Sequence, residues 1–94
     1  MVAKRILISG SITCEADDLE LVRTYVPDHI RLTLAEPGCV RFSIEASDED
    51  PCKFIVSEEF IDRSAFDAHT ARTRQSAWWE KTQHIPRNIT VTEA

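Results

Sequence analysis

The chain has 94 residues, 43% of them hydrophobic and 29% charged, which is the make-up of one ordinary globular domain spanning residues 1–94. Sixteen acidic against eleven basic residues leave a net charge of −5, so nucleic acid and anionic membranes are poor partners. The apolar run Ile6-Leu7-Ile8 is too short for a spanning or signal segment. The three cysteines, Cys14, Cys39 and Cys52, include no CxxC pair and read as reduced thiols of a cytoplasmic protein.

From Lys4 to Thr13, Ile6, Ile8, Gly10 and Ile12 alternate with Arg5, Leu7, Ser9 and Ser11, a first strand with one apolar side. Asp17-Asp18-Leu19-Glu20 has the form of a capping box. A helix stripe follows through Leu19, Val22, Val26, Ile30 and Leu34. Pro27 is expected to kink that helix or split it near Tyr25, and Pro37-Gly38 must end it.

Two short runs, Cys39–Ala46 and Lys53–Ile61, are rich in β-branched and aromatic residues and flank the polar loop Ser47–Cys52. They read as an antiparallel hairpin. Alternation puts Val40, Phe42, Ile44 and Ala46 on one face of the first run. In the second it puts Phe54, Val56, Glu58 and Phe60 on one face and Ile55, Ser57, Glu59 and Ile61 on the other. Apolar residues on both faces predict a sheet covered on both sides, which for so short a chain implies a second copy. Asp62 or Ser64 caps a second helix through Phe66, His69 and Arg72, and a third runs from Arg74 to Gln83, before Pro86. Asn88–Thr92 forms a last strand. The order β-α-β-β-α-α-β is that of the ferredoxin-like α+β fold, a four-stranded antiparallel sheet with helices on one face.

With only Gly10 and Gly38, the chain has no GxGxxG or Walker loop to seat a dinucleotide or nucleotide. His29, His69 and His84 have no zinc-type spacing with the cysteines or with each other, and no GxSxG elbow is present. No metal or cofactor is therefore expected. His69 reads either as a core histidine satisfied by a backbone carbonyl or as a general base near neutrality. Glu58, between Val56 and Phe60, must either pair in a salt bridge or have a raised pKa, and Glu59 can take a similar structural role on the other face. Of the adjacent Trp78 and Trp79, one belongs in the core, and the other can close a pocket or pack on a partner. Tyr25, Phe42 and Phe60 are core residues or the walls of a flat apolar cavity. His29, beside Arg31, reads as part of a solvated face, with ring binding or proton transfer as its functional alternative.

The motif Glu36-Pro37-Gly38-Cys39, followed by Glu58-x-Phe60-x-Asp62-x-x-Ala65-x-x-x-His69, resembles the signature of the antibiotic biosynthesis monooxygenase (ABM) domain. The resemblance covers about half of the chain. It implies a ferredoxin-like subunit that pairs sheet to sheet into a dimeric α+β barrel, with a small pocket between sheet and helices. Relatives include cofactor-independent monooxygenases of quinols and polyketide phenols, haem-degrading enzymes and isomerases of small carbonyl metabolites. On that analogy the chain is a homodimeric, cofactor-free monooxygenase of a small quinol or hydroxylated aromatic. His69 and Glu58 are its catalytic candidates, and Phe42, Phe60, Trp78, Trp79, Tyr25 and His29 its ring-binding candidates. The alternatives are an isomerase or other proton-transfer enzyme using His69 or His29, and a non-catalytic small-molecule-binding dimer. The chain departs from polyketide-oxidising and haem-degrading relatives in having a single asparagine, Asn88, and in carrying Phe60 where some relatives have tryptophan.

Overall fold

The computed structural model describes residues 4–94, and residues 1–3 of the expected domain lie outside it. Among the described residues the chain forms β1 (Ile6–Thr13), a short 3-10 turn (Ala16–Asp18), α1 (Leu19–Leu34), β2 (Cys39–Ala46), β3 (Lys53–Phe60), α2 (Arg63–Thr73), α3 (Ala77–Thr82) and β4 (Arg87–Glu93). The four strands make one antiparallel sheet in the order β2-β3-β1-β4. This is the ferredoxin-like fold expected from the element order.

The face of the sheet toward the helices carries Ile6, Ile8 and Ile12 of β1, Phe42 and Ile44 of β2, and Phe54, Val56, Glu58 and Phe60 of β3, all buried. Register sets this directly, since Ile6 lies opposite Phe60, Ile12 opposite Phe54, and Glu58 opposite both Ile8 and Phe42. Val40 does not share that face. A bulge between Cys39 and Arg41 shifts the register, so Cys39, Phe42 and Ile44 point inward while Val40 is exposed. An extra residue in one strand reverses the alternation locally, which a strict two-residue period cannot anticipate. The opposite face is mostly polar, with Ile55 exposed and Leu7, Ser11, Ser43 and Ser57 half-buried. On that face Glu59 pairs with Arg5 at 2.5 Å and Arg41 at 3.0 Å, and the Arg5 hydrogen bond holds its carboxyl below the usual range. The structural role expected for Glu59 is borne out.

Helix α1 contains Pro27 but continues through it. Proline removes one backbone donor, yet the helix is not split, and both Pro27 and Arg23, four residues back, lie on its exposed side. The expected capping box does not form, because no side chain caps α1 and Asp18 instead accepts from His84 at 3.1 Å. The buried stripe is Val22, Val26, His29 and Thr33, while Leu34 is exposed. Steps of four, three and four keep to a 3.6-residue turn, whereas repeated steps of four drift by about 40° each. The expected apolar stripe therefore stays against the core as far as Ile30, which is half-buried, and leaves it at Leu34.

In α2, Asp62 caps by accepting from the Ala65 N–H at 2.8 Å. In α3, Ser76 caps by accepting from the Trp79 N–H at 3.2 Å, so that helix is shorter than the Arg74–Gln83 span expected. Gly38 joins the two motifs of the sequence. Its carbonyl accepts from the Ile61 N–H at 2.9 Å, and a Cβ there would lie 2.2 Å from the Ala65 Cβ. The contact of a hydrogen-only side chain with a small one lets the start of β2 lie against α2 and brings Glu36 over His69.

Candidate functional site

His69, the one buried residue of α2, projects between the sheet and α1. Its ring lies 4.8 Å from Phe60, 5.6 Å from Phe42 and 5.9 Å from His29, centroid to centroid. Its Nδ1 is 3.0 Å from the Glu36 carboxylate, so a carboxylate, and not the backbone carbonyl considered from the sequence, satisfies the ring. Arg72 Nε donates to the other oxygen of Glu36, and Arg72 Nη2 donates to Thr33 Oγ1 at 2.9 Å. The Thr33 hydroxyl in turn donates to the His29 carbonyl at 2.7 Å. With a carboxylate as its partner, Nδ1 carries the ring proton of a neutral His69, and Nε2 presents a lone pair.

Nε2 faces Glu58 at 3.7 Å, too far for a hydrogen bond. Burial, and secondarily the Glu36 charge, push the Glu58 carboxyl up to about 7. Both outcomes expected for Glu58 bear on it: burial raises its pKa, and its nearest charge partner is the His69 ring, within ion-pair distance when that ring is protonated. Burial also lowers the His69 pKa, against the raising influence of Glu36. A carboxyl whose pKa is raised and an imidazole whose pKa is lowered thus stand side by side.

His29 is buried, not solvated. Its ring stacks on Trp78 at 5.3 Å and 12° and meets Phe42 edge-on at 5.2 Å. Burial drives its pKa down to about 3, so it is neutral at any physiological pH.

These groups surround a cavity of about 110 Å³ lined by His29, Glu58, His69, Thr73, Trp78, Trp79, Arg87 and aliphatic residues of the sheet. Both indoles line it, Trp78 buried and Trp79 half-buried. Arg87 lies over both rings, at 5.5 Å from Trp78 and 5.3 Å from Trp79. It is tied to the end of α3 by hydrogen bonds to the Thr82 and Ile85 carbonyls at 2.9 Å. Two buried polar atoms of cavity-lining residues, His29 Nδ1 and Thr73 Oγ1, have no hydrogen-bond partner. Buried polar atoms are rarely left so.

Of the residues singled out in the sequence, His69, Glu58, His29, Trp78 and Trp79 line the cavity, and Phe42 and Phe60 back the histidines. Tyr25 does not join them; it packs half-buried against the main core cluster. The roles of Glu36, Thr33, Arg72, Thr73 and Arg87 escaped sequence reasoning. Glu36 stood in the Glu-Pro-Gly-Cys motif, which was the available signal, but nothing in the sequence tied it to His69. A larger, mainly apolar cavity of about 530 Å³ lies on the other side of Glu36 and Arg72, beneath Pro37, Ile61, Ala65 and Ala68. It has no histidine, so chemistry and not size selects the smaller one. Among the described residues, no group of three or more His, Cys, Asp or Glu side chains is arranged to hold a metal, and no helix is long and apolar enough to cross a membrane.

The fold is shared widely. A candidate antibiotic biosynthesis monooxygenase from Nitrosomonas europaea superposes with a TM-score of 0.81 at 20% identity, covering 100% of this chain and 93% of that one. One from Deinococcus radiodurans gives 0.82 at 20%, covering 95% and 91%, and one from Bacteroides thetaiotaomicron gives 0.81 at 21%, covering 96% and 87%. No curated protein matches the chain. The family model for antibiotic biosynthesis monooxygenases matches residues 5–81, a span holding both sequence motifs and every cavity residue except those of β4, and the chain belongs to that family.

Proposed function

We propose that the chain is a cofactor-independent monooxygenase of a small quinol or hydroxylated aromatic. The observation that carries this reading is the aromatic cavity lined by His69 and Glu58 together with His29 and Thr73, whose buried Nδ1 and Oγ1 have no hydrogen-bond partner. Family membership and the fold of the monooxygenase-named neighbours support it. A cavity of about 110 Å³ is well below the roughly 300–1,000 Å³ of drug-sized sites, which favours a single ring.

In this reading His69 Nε2 takes the proton of a ring hydroxyl, and the imidazolium that forms is stabilised by Glu36 at Nδ1 and by ionised Glu58 beyond Nε2. The Arg87 cation, held against both indoles, favours the phenolate. An electron-rich phenolate is itself the reductant of dioxygen. One oxygen atom joins a ring carbon bearing hydrogen, the other leaves as water, and the ring ends as the quinone, so the four electrons come from the substrate. The protein binds, deprotonates and excludes water.

The reading also takes the chain as a cytoplasmic homodimer joined through the bare face of the sheet. Exposed Ile55 and the half-buried Leu7 and serines of that face support close approach of a second sheet, and Glu59 offsets one of the two positive charges of Arg5 and Arg41 within the subunit.

A second reading, proton transfer on a small carbonyl compound without dioxygen, is favoured by one observation, the Glu58 carboxyl near neutrality beside His69. Oxygen uptake over a panel of hydroquinones and hydroxylated aromatics separates the two. Uptake above each compound's own autoxidation, lost in His69→Ala, is the expected result. Absence of uptake throughout the panel, with exchange of a substrate α-proton into deuterated water, would move the assignment to proton transfer.

A further inference from the structure

Away from the cavity, the β1–β3 ladder ends with Thr13 opposite Lys53, and the Cys14 N–H donates to the Cys52 carbonyl at 2.9 Å. Cys14 and Cys52 are therefore the next cross-strand pair. Opposed residues of an antiparallel pair have Cα atoms about 4.5–5.5 Å apart, within the roughly 4.4–6.8 Å that a disulfide spans. Cys14 is buried in the main core, and Cys52 is half-buried at the end of the exposed β2–β3 loop.

We infer that Cys14 and Cys52 form a redox-modifiable dithiol that a low-molecular-weight disulfide, such as oxidised glutathione, closes into an intramolecular disulfide. Cys52 is the point of entry because it is the more exposed of the two. Its thiolate attacks one sulfur of the small disulfide, a first thiol leaves, and a mixed disulfide forms on Cys52. The Cys14 thiolate then attacks the Cys52 sulfur, and the second thiol leaves. Each protein thiol loses one proton and one electron, and the small disulfide is reduced to two thiols. Burial and the neighbouring Cys52 raise the Cys14 pKa, so the second step depends on proximity and not on an acidic thiol.

Cys39 is a built-in control. It lies opposite Phe60, at the far end of β3 from Cys52, roughly 26 Å away along the strand. The cross-link would enclose α1 and β2 in one covalent loop and so restrict the unfolded chain. None of this depends on the reaction proposed for the cavity.

The test is to incubate the full chain with oxidised glutathione, alkylate the remaining thiols, digest without reductant and map by mass spectrometry. The expected products are a linked Cys14–Cys52 peptide and alkylated Cys39. Cys14→Ser is expected to stop at a glutathione adduct on Cys52. The oxidised wild type should melt several degrees above the reduced form, a difference absent in Cys14→Ser. A stable glutathione adduct on Cys52 of the wild type, a linkage through Cys39, or three alkylated thiols after the incubation would each overturn the inference.

Discussion

Glu36, in the turn after α1, lies 3.0 Å from Nδ1 of His69, thirty-three residues later in α2. This contact decides which nitrogen of His69 carries the proton and which is left to act. Arg72 holds the same carboxylate from its other side, so Glu36 is oriented independently of His69. Glu36→Gln keeps the shape and removes the charge that raises the His69 pKa. In the proposed reaction, turnover should fall while the acidic limb of the pH–rate profile moves to lower pH. His69→Ala should cost more, on the order of 10²–10⁴-fold. An unshifted limb in Glu36→Gln would show that His69 is not the group being titrated.

Glu58 is predicted to make stability fall as the solution becomes alkaline. Its folded pKa, about 7, lies above the usual carboxylate value of 4.5. Its contribution is therefore fully present below pH 4.5 and lost as pH rises through about 7. The shift corresponds to ~3 kcal/mol when complete. Glu58→Gln should abolish most of that dependence and melt higher than wild type at pH 8, as measured by calorimetry between pH 4 and 8. A variant less stable than wild type at pH 8 would mean that ionised Glu58 has a favourable partner in the fold.

His29 acts in the opposite direction. Its folded pKa, about 3, lies below the ordinary 6.5, so its contribution is present above pH 6.5 and lost as pH falls toward 3. The full shift corresponds to ~5 kcal/mol, and His29→Phe keeps a ring to stack on Trp78. That variant should lose much less stability than wild type between pH 7 and 4 in denaturant titrations. An equal loss in both proteins would place the acid sensitivity elsewhere.

Gly38→Ala should destabilise the chain by roughly 1–3 kcal/mol, because the new methyl would lie 2.2 Å from the Ala65 Cβ. Ala65→Gly vacates that space at the cost of a glycine in the first turn of α2. The double variant should therefore be more stable than Gly38→Ala alone, a non-additivity that chemical denaturation reads directly. Strict additivity would mean that the two residues do not press on each other.

The sheet-to-sheet dimer predicts twice the subunit mass by light scattering at micromolar concentration. Ile55→Lys, which puts a charge in the middle of the bare face, should shift the protein toward monomer without lowering secondary-structure content. A wild-type monomer would remove the dimer from the proposal and leave the cavity chemistry standing.

The sequence by itself determined the order of elements and the antiparallel sheet, because alternation, proline, glycine and capping residues act over a few neighbouring positions. It also marked Glu58 as a carboxylate that has to reside on an apolar strand face, and Phe60 and His69 through the spaced motif they share. What it did not reveal depends on pairings between distant segments. The bulge at Val40 exists only in relation to β3. The buried stripe of α1 passes through His29 and Thr33 because helical geometry, not hydrophobicity, selects the residues that face the sheet. Glu36 meets His69 and Arg72 only because Gly38 and Ala65 are small enough to bring two segments into contact. Arg87 comes to the indoles only when β4 closes the sheet. Local patterning, then, specified the scaffold, while the protonation states of Glu58, His29 and His69 were decided by burial and by charges that tertiary packing alone brings together.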